Sequence, residues 1–249
     1  CGFEWYFLTQ RPEKQAISQQ YYNEITVPHG SKSCITMADS TKVWLNAGAK
    51  FSYPTNFEDK IREVFLEGEA YFEVKKDNHR PFFVKMNGMN IKVLGTKFNV
   101  KDYNDEKSIE TTLIEGDIEI IGLRSNIQSE SNLHLNPGQK LILTKDESYQ
   151  QNQKIKIKNA EVINMCDTKS ETAWLEDRLI FHKERFDNVK IKLERWYGVS
   201  IDIQNPEILD YRFSGTFEEE TFEQALHALK KAARFEYTIK KKQVTITRN

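Results

Sequence analysis

The sequence has little of what marks several protein classes. Its 249 residues include only three cysteines, six prolines and eleven glycines, which excludes a disulfide-stapled scaffold and a collagen-like or low-complexity chain. The 36 basic and 37 acidic side chains nearly cancel, whereas a protein that coats nucleic acid needs a basic surface. No run approaches the roughly 20 apolar residues that cross a bilayer as a helix. The remaining balance, 39% hydrophobic and 29% charged residues, is typical of a folded globular chain.

Motifs of catalytic and metal sites are also missing. The sequence has no GxSxG elbow, P-loop, GxGxxG turn or HExxH pair. Glu67, Glu69 and Glu73 could supply a carboxylate pair, but we interpret them as turn and solvent-face acids because the first two flank a glycine. We therefore expect no enzyme, no cofactor and no metal site. The five histidines show no i,i+4 ligand spacing: His29, His79, His134, His182 and His227.

Two of the cysteines, Cys34 and Cys166, leave two main interpretations open. Either they are buried as small apolar side chains, or they pair with each other in an oxidising compartment. A catalytic thiol would need a histidine beside it, which sequence alone cannot place.

Between residues 25 and 165 the chain alternates apolar and polar residues in short runs that are separated by turn signals. This pattern predicts an all-β region, either a sandwich or a short β-solenoid. No helical period of useful length occurs there. The predicted strands are 42–45, 63–66, 70–74, 81–85, 90–94, 97–100, 110–114, 118–121, 139–143 and 155–158.

Two segments of this region echo each other. Residues 66–72 and 114–120 both read as an apolar residue, glutamate, glycine, an acid and then a strand. Because only glycine adopts some backbone conformations without strain, Gly68 and Gly116 are predicted to let one strand turn into the next.

After residue 172 the period changes. Apolar residues at helical spacing run from Phe186 to Trp196, and Gly198 stands where a helix stops. Thr221 and Gln224 form a capping box that opens a second helix. With the intervening strands the order is βαβ–βαββ, which predicts a small α+β domain with two helices on one sheet.

The first 24 residues differ from the rest. Residues 3–8 are apolar and aromatic, and a polar stretch follows. Aromatic residues beside a charged polar stretch resemble the interfacial end of a membrane helix. We interpret residues 1–24 as a membrane-proximal stub and linker, with an ordinary first strand as the alternative.

Eight motifs follow one another along the two halves of the chain. Those of the first half are ADSTKVWLNAG (38–48), LEGEAYFEV (66–74), VLGTKFNV (93–100), TLIEG (112–116) and NPGQ (136–139); those of the second are LERWYGV (193–199), YRFSGTF (211–217) and FEQAL (222–226). On these motifs the first half resembles the periplasmic domain of FecR-family anti-sigma factors, and the second half resembles the small C-terminal domain that accompanies it in SusC-type uptake systems. That small domain is similar to the short N-terminal domains of secretins and TonB-dependent receptors.

The resemblance implies a single-pass inner-membrane signal transducer, of which this chain would be the periplasmic sensor portion. It implies three domains or segments: the stub 1–24, an all-β FecR-like domain 25–171 and an α+β receptor-binding domain 172–249. The implied partners are the N-terminal signalling domain of a SusC-like TonB-dependent outer-membrane transporter and, through a cytoplasmic segment absent from this chain, an ECF sigma factor. No nucleic acid is expected as a partner.

Edge-strand addition is the expected mode of docking, because main-chain hydrogen bonds give affinity and alternating side chains give selectivity. The edges expected to be free are 211–217 or 243–248. An alternative function is a glycan- or cell-envelope-binding structural protein that uses exposed aromatics such as Trp44 or Tyr53. The expected partner-binding residues are Tyr211, Phe213, Ser214, Gly215, Thr216 and Phe217.

Overall fold

The computed structural model describes residues 20–57, 60–123, 132–146 and 155–248. We call residues 20–163 the first part and residues 173–248 the second part. The strands of the first part are β1 Tyr22–Thr26, β2 Ser33–Thr36, β3 Lys42–Leu45, β4 Lys50–Pro54, β5 Arg62–Glu73, β6 Phe82–Lys85, β7 Asn90–Val93, β8 Lys97–Asp102, β9 Ser108–Glu115, β10 Ile118–Ile121, β11 Leu133–Leu135, β12 Lys140–Lys145 and β13 Ile157–Ile163.

The long strand β5 organises the first part. Its first half pairs with β4 and with β6, and its second half pairs with β3 and β8. All thirteen strands therefore belong to one hydrogen-bonded sheet, which curls around its own core. Alternate residues of β5, including Val64, Leu66, Ala70 and Phe72, point into that core and are buried.

Aromatic rings fill the centre of this core. Phe72 on β5 stacks on Phe98 on β8 with ring centroids 5.0 Å apart, and it meets Phe82 edge-on at 6.2 Å. Aromatic pairs prefer offset-stacked and edge-to-face contacts of this kind. The many aromatic residues of the sequence are thus explained chiefly by packing.

Gly68 lies inside β5, so the prediction that it ends a strand was wrong. Its φ of +106° does fit the predicted glycine-specific conformation. The strand continues through this position, and glycine is needed there because a Cβ would lie 2.7 Å from Ala49 Cα on the neighbouring segment. Gly116, with a φ of +100°, does lie in the turn between β9 and β10.

A short connection joins the two parts. It contains helix α1 Thr168–Glu171, and the second part begins with a 3₁₀ turn, Ala173–Glu176. The second part then contains β14 Leu179–Arg185, α2 Phe186–Tyr197, β15 Ser200–Ile203, a 3₁₀ turn Pro206–Asp210, β16 Arg212–Phe217, α3 Phe222–Ala232, β17 Phe235–Lys240 and β18 Gln243–Arg248.

The predicted βαβ–βαββ order is present, but the strands form two sheets rather than one. β14 pairs with β16, while β18 lies between β15 and β17. Both sheets and both helices contribute to a single apolar cluster. The ring centroid of Phe186 on α2 lies 4.9 Å from that of Phe213 in the first sheet and 5.5 Å from that of Phe235 in the second. Shared side chains therefore hold the two sheets together.

The predicted helix ends are also present. Gly198 takes the left-handed conformation after α2, with a φ of +64°. At the start of α3, Gln224 N–H donates to Thr221 Oγ1 and Thr221 N–H donates to Gln224 Oε1, which completes the capping box.

The fold class, a mostly β first part followed by a small α+β part, is confirmed. The boundaries at 24/25 and 171/172 stay predictions, and residues 1–19 of the predicted stub lie outside the described residues. Within the described ranges, no helix is long and apolar enough to span a membrane.

Candidate functional site: the β16 edge and the junction

The predicted partner-binding residues lie on β16 and directly before it. Phe213 and Phe217 are buried, at 4% and 9% exposure, and belong to the apolar cluster of the second part. Ser214, Gly215 and Thr216 between them are exposed, and Tyr211 is half-buried. The structure thus divides the predicted set into side chains that anchor the strand and a short polar stretch that faces solvent.

One edge of β16 is unpaired among the described residues, because this strand pairs only with β14. Phe186 N–H donates to Tyr211 O at 2.8 Å, so the opposed residues Arg185 and Arg212 form a non-hydrogen-bonded pair. Main-chain groups alternate in direction along a strand. The N–H and C=O of Ser214 and Thr216 therefore point away from β14, toward the open edge.

The stretch carries few of the features that protect an edge strand. Proteins usually block such edges with lysine, proline or bulky cover. Ser214, Gly215 and Thr216 offer none of these. A Cβ at Gly215 would meet nothing within 4 Å, so the face of the strand is also uncovered there. These three residues therefore place no protecting side chain at the edge.

The second predicted edge, residues 243–248, is not free. β18 occupies the middle of its sheet, where β15 pairs with it in parallel and β17 pairs with it antiparallel. The prediction was wrong because β15 pairs with a strand 43 residues later in the chain, Ser200 with Gln243, and the local alternation pattern contains no sign of this pairing.

Opposite Ser214 the partner strand bulges. The register of β14 shifts between Phe181 and Glu184, and Lys183 takes a left-handed φ of +49°. Its backbone N–H donates to Ser214 Oγ at 2.8 Å. The Ser214 side chain thus accepts a hydrogen bond from the bulge, while the main-chain groups of Ser214 face the open edge.

The second region of interest is the contact between the two parts, here called the junction. It is built largely from LERWYG, residues 193–198. Gly30 N–H donates to Arg195 O at 2.7 Å. A Cβ on Gly198 would lie 3.1 Å from His29 O, so the end of α2 fits closely against the loop after β1.

Arg195 is the most buried charge that the second part brings to the junction, at 7% exposure. Its guanidinium forms ion pairs with Asp105 and Glu106 and lies 3.5 Å from the ring centroid of Tyr103. Burial alone would lower the pKa of Arg195, but Glu106 outweighs it and the pKa is raised. Arg195 therefore stays charged in this setting.

Glu69 lies beside this network and is not the solvent-face acid that the sequence suggested. Its carboxylate accepts from Asn46 Nδ2 at 2.8 Å and from Asn99 Nδ2 at 2.9 Å. Burial raises its pKa, against the opposing effect of Lys101 and the two amides. Glu67 instead pairs with Lys50 at 3.2 Å.

Sequence reasoning treated the LERWYG motif as the end of a helix and as a family marker, and it missed the contacts of this motif with the first part. Arg195 meets partners 89 and 90 residues earlier in the chain. The detectable signal was a charged residue between apolar helix positions. A cavity of about 270 Å³ remains at the junction, and its lining includes Glu69, Tyr103, Trp174 and Trp196.

The cysteines and the two aromatic residues that the sequence singled out were not assigned to the β16 edge or to the junction. Cys34 is exposed and Cys166 half-buried, and both are free. The interpretation of Cys34 as a buried apolar residue and the interpretation of the two as a disulfide pair were therefore both wrong. Trp44 and Tyr53 are each half-buried against another ring, Tyr71 and Phe51. In the part of the chain that the structure describes, no group of three or more His, Cys, Asp or Glu residues could hold a metal ion.

Comparison with known proteins accounts for both parts. Residues 23–119 match the family described as FecR protein, and residues 178–246 match the family described as FecR, C-terminal. Two crystal structures of a candidate anti-sigma factor from Parabacteroides distasonis, at 2.50 and 1.65 Å resolution, are 30% identical to the chain with a TM-score of 0.77. The first covers 92% of this chain and 100% of its own, and the second covers 91% and 99%.

The chain belongs to the FecR family of anti-sigma factors. No protein with a curated description matches it. The resemblance noted in the sequence is confirmed, and the FecR C-terminal region includes both β16 and the LERWYG motif. Membership makes the chain part of an anti-sigma regulator, a class that acts through a sigma factor and a receptor rather than through catalysis.

Proposed function

We propose that this FecR-family chain is the periplasmic sensor portion of a single-pass inner-membrane anti-sigma factor. In this proposal it receives a signal from the N-terminal signalling domain of a SusC-like TonB-dependent outer-membrane transporter. A cytoplasmic segment of the full-length protein passes the signal to an ECF sigma factor.

The open edge of β16 carries the proposal. Among the described residues, this short strand pairs only with β14, so the main-chain groups of Ser214 and Thr216 face an open edge, and the side chains there are small. A partner strand that adds there would form main-chain hydrogen bonds, while the side chains beside it would set selectivity. Because Phe213 and Phe217 anchor the strand in the core, the edge is held in position before a partner binds.

Calorimetric titration of the chain with the signalling domain of the transporter encoded beside its gene tests the proposal. We expect saturable binding by the wild type. Thr216→Pro removes an edge N–H without touching the pairing with β14, and we expect it to reduce affinity at least tenfold. Thr216→Val keeps that N–H and the β-branched shape, and it should bind like the wild type.

Ser214→Pro gives a second test at the same edge. It removes the edge N–H and also the hydroxyl that accepts from Lys183 N–H. Ser214→Ala loses only the hydroxyl and is the matched control. Equal affinity in both proline variants and the wild type would overturn docking by strand addition. Absence of binding by the wild type would overturn the receptor assignment, and a glycan array would then test the envelope-binding alternative.

A further inference from the structure

The two faces of the junction carry complementary charge. On the first part, Lys101 and Glu110 oppose each other across β8 and β9, and Lys140 on β12 pairs with Glu110 at 2.7 Å. Together with Glu106, which pairs with Lys101, these residues form a row of alternating charge, here called the charge row. Arg195 from α2 pairs with Glu106 at the acidic end of this row. Glu171 from α1 binds Lys140 at 2.8 Å.

Lys101 makes this row continuous with Arg195. Its Nζ lies 2.5 Å from Glu106 Oε2, and the other oxygen of the same carboxylate meets Arg195. Burial alone would lower the pKa of Lys101, but Glu106, Glu110 and Glu69 outweigh it and raise the pKa. One carboxylate is therefore shared by a cation of each part.

A charged contact of this kind determines how the two parts are oriented relative to each other, and it contributes less to the free energy that holds them together. Charge complementarity sets register and direction, whereas apolar burial supplies most adhesion. The junction contains two cavities of about 270 and 120 Å³, both partly open to solvent and lined by charged side chains from both parts. Interfaces between domains permit relative motion unless they are large and hydrophobic.

The junction is also connected to the β16 edge. His182 and Glu184 of β14 line the larger cavity, and Glu184 pairs with Lys192 of α2 at 2.7 Å. The bulge of β14 lies between His182 and Glu184, at Lys183, whose backbone N–H donates to Ser214 Oγ. A change in the pairing of β16 would therefore reach the strand that faces the junction.

We propose that Arg195 is the positioning residue of a releasable clamp, which sets the orientation of the second part relative to the first part. A strand that occupies the β16 edge opens this clamp. The opening step rests on the proposed function, whereas the clamp itself does not.

Distance measurement between two spin labels in the full chain tests the clamp. The labels would be attached to Cys34, exposed on β2, and to a cysteine at the exposed position Thr238 on β17, with Cys1 and Cys166 replaced by serine. We expect one narrow distance distribution in the otherwise wild-type chain. Arg195→Ala should broaden it or add a second, shifted population.

Arg185→Ala is the matched control. Arg185 forms ion pairs with Asp187 and Asp210 within the second part, so its loss should leave the distribution narrow. Arg195→Lys keeps the charge but cannot bridge two carboxylates while stacking on Tyr103, and we expect an intermediate width. If Arg195→Ala does not fold, as judged by circular dichroism, Arg195→Lys decides the question. An unchanged narrow distribution in the folded arginine variants would overturn the clamp.

Adding the transporter's signalling domain tests the opening step. A broadened or shifted distribution in the wild type, and none in Thr216→Pro, would support it. Binding that leaves the distribution narrow would overturn opening while the clamp stands. Failure to bind would overturn the proposed function and the opening step together, and the clamp would still be judged from the arginine variants.

Discussion

Trp174 and Asn99 are joined across the junction by a hydrogen bond of 3.2 Å from the indole Nε1–H to the amide oxygen. Both residues are buried. The same amide donates through Nδ2 to Glu69. Asn99 therefore uses both ends of its side chain, one toward the second part and one toward Glu69, a half-buried acid of the first.

Replacing Trp174 by phenylalanine should destabilise the chain. The ring would still fill part of the space, but the Asn99 oxygen would lose its donor in a buried site, which costs about 1–3 kcal/mol. Urea unfolding followed by far-UV circular dichroism measures the change. Trp44→Phe is the control, since this tryptophan is half-buried on β3; an equal loss in both variants would argue against the hydrogen bond as the cause.

The charge row at the junction should make stability depend on acid pH. Burial alone would raise the pKa of Glu110, but Lys101 and Lys140 outweigh it and lower the pKa to about 2. A carboxyl whose pKa is lowered by folding stabilises the chain above its unfolded value, and this contribution is lost as pH falls through the folded value. The affected window runs from about pH 4.5 down to about pH 2.

Glu110→Gln should therefore be less stable than the wild type at pH 7, by roughly 3 kcal/mol. About half of that difference should be gone at pH 3. Urea titrations at pH 7, 4 and 3 give the comparison. Glu24→Gln, an exposed position on β1, controls for the general effect of removing a carboxylate. A difference that stays constant with pH would contradict the assigned cause.

Local pattern was sufficient for much of the fold. The predicted strands 42–45 and 118–121 match β3 and β10 residue for residue, because alternation is clear there and glycine or asparagine turns border them. The capping box of α3 and the glycine stop of α2 were readable for the same reason, since each depends on side chains within a few residues of each other.

Features that depend on distant segments could not be read. The need for glycine inside β5 comes from the close approach of Ala49 to position 68. The central position of β18 in its sheet comes from its pairing with β15. At the candidate site, alternation identified β16 and its buried phenylalanines. It could not identify Arg195, because its partners Asp105 and Glu106 are brought to it only by the folded arrangement of the two parts.

Arg62 and Asp39 give a test of a buried ion pair outside the junction. Arg62 is fully buried, and its Nη1 donates to Asp39 Oδ2 at 2.9 Å and to Lys75 O at 2.8 Å. Arg62→Leu would leave the Asp39 charge buried without its cation, and we expect a loss of about 3–5 kcal/mol. Urea unfolding measures it.

The double variant Arg62→Leu, Asp39→Asn separates the charge from the packing. Asparagine keeps an oxygen for Thr41, whose N–H donates to Asp39 Oδ1, but it removes the unpaired charge. The double variant should therefore be more stable than Arg62→Leu alone. A double variant as unstable as the sum of both single changes would assign the loss to packing instead.

Gly68 and Gly138 separate two reasons for glycine. Both have a positive φ, +106° and +80°. Alanine at either site would strain the backbone and lower the free energy of unfolding by roughly 1–2 kcal/mol. At Gly138 an added Cβ would meet nothing within 4 Å, whereas at Gly68 it would lie 2.7 Å from Ala49 Cα. Because that neighbour is backbone and cannot swing away, Gly68→Ala should lose clearly more stability than Gly138→Ala in paired urea titrations. Equal losses would mean that φ alone requires glycine at position 68 and that the segment at Ala49 can move aside. A larger loss at Gly68 would establish the close approach of the two segments as the reason why β5 contains a glycine there.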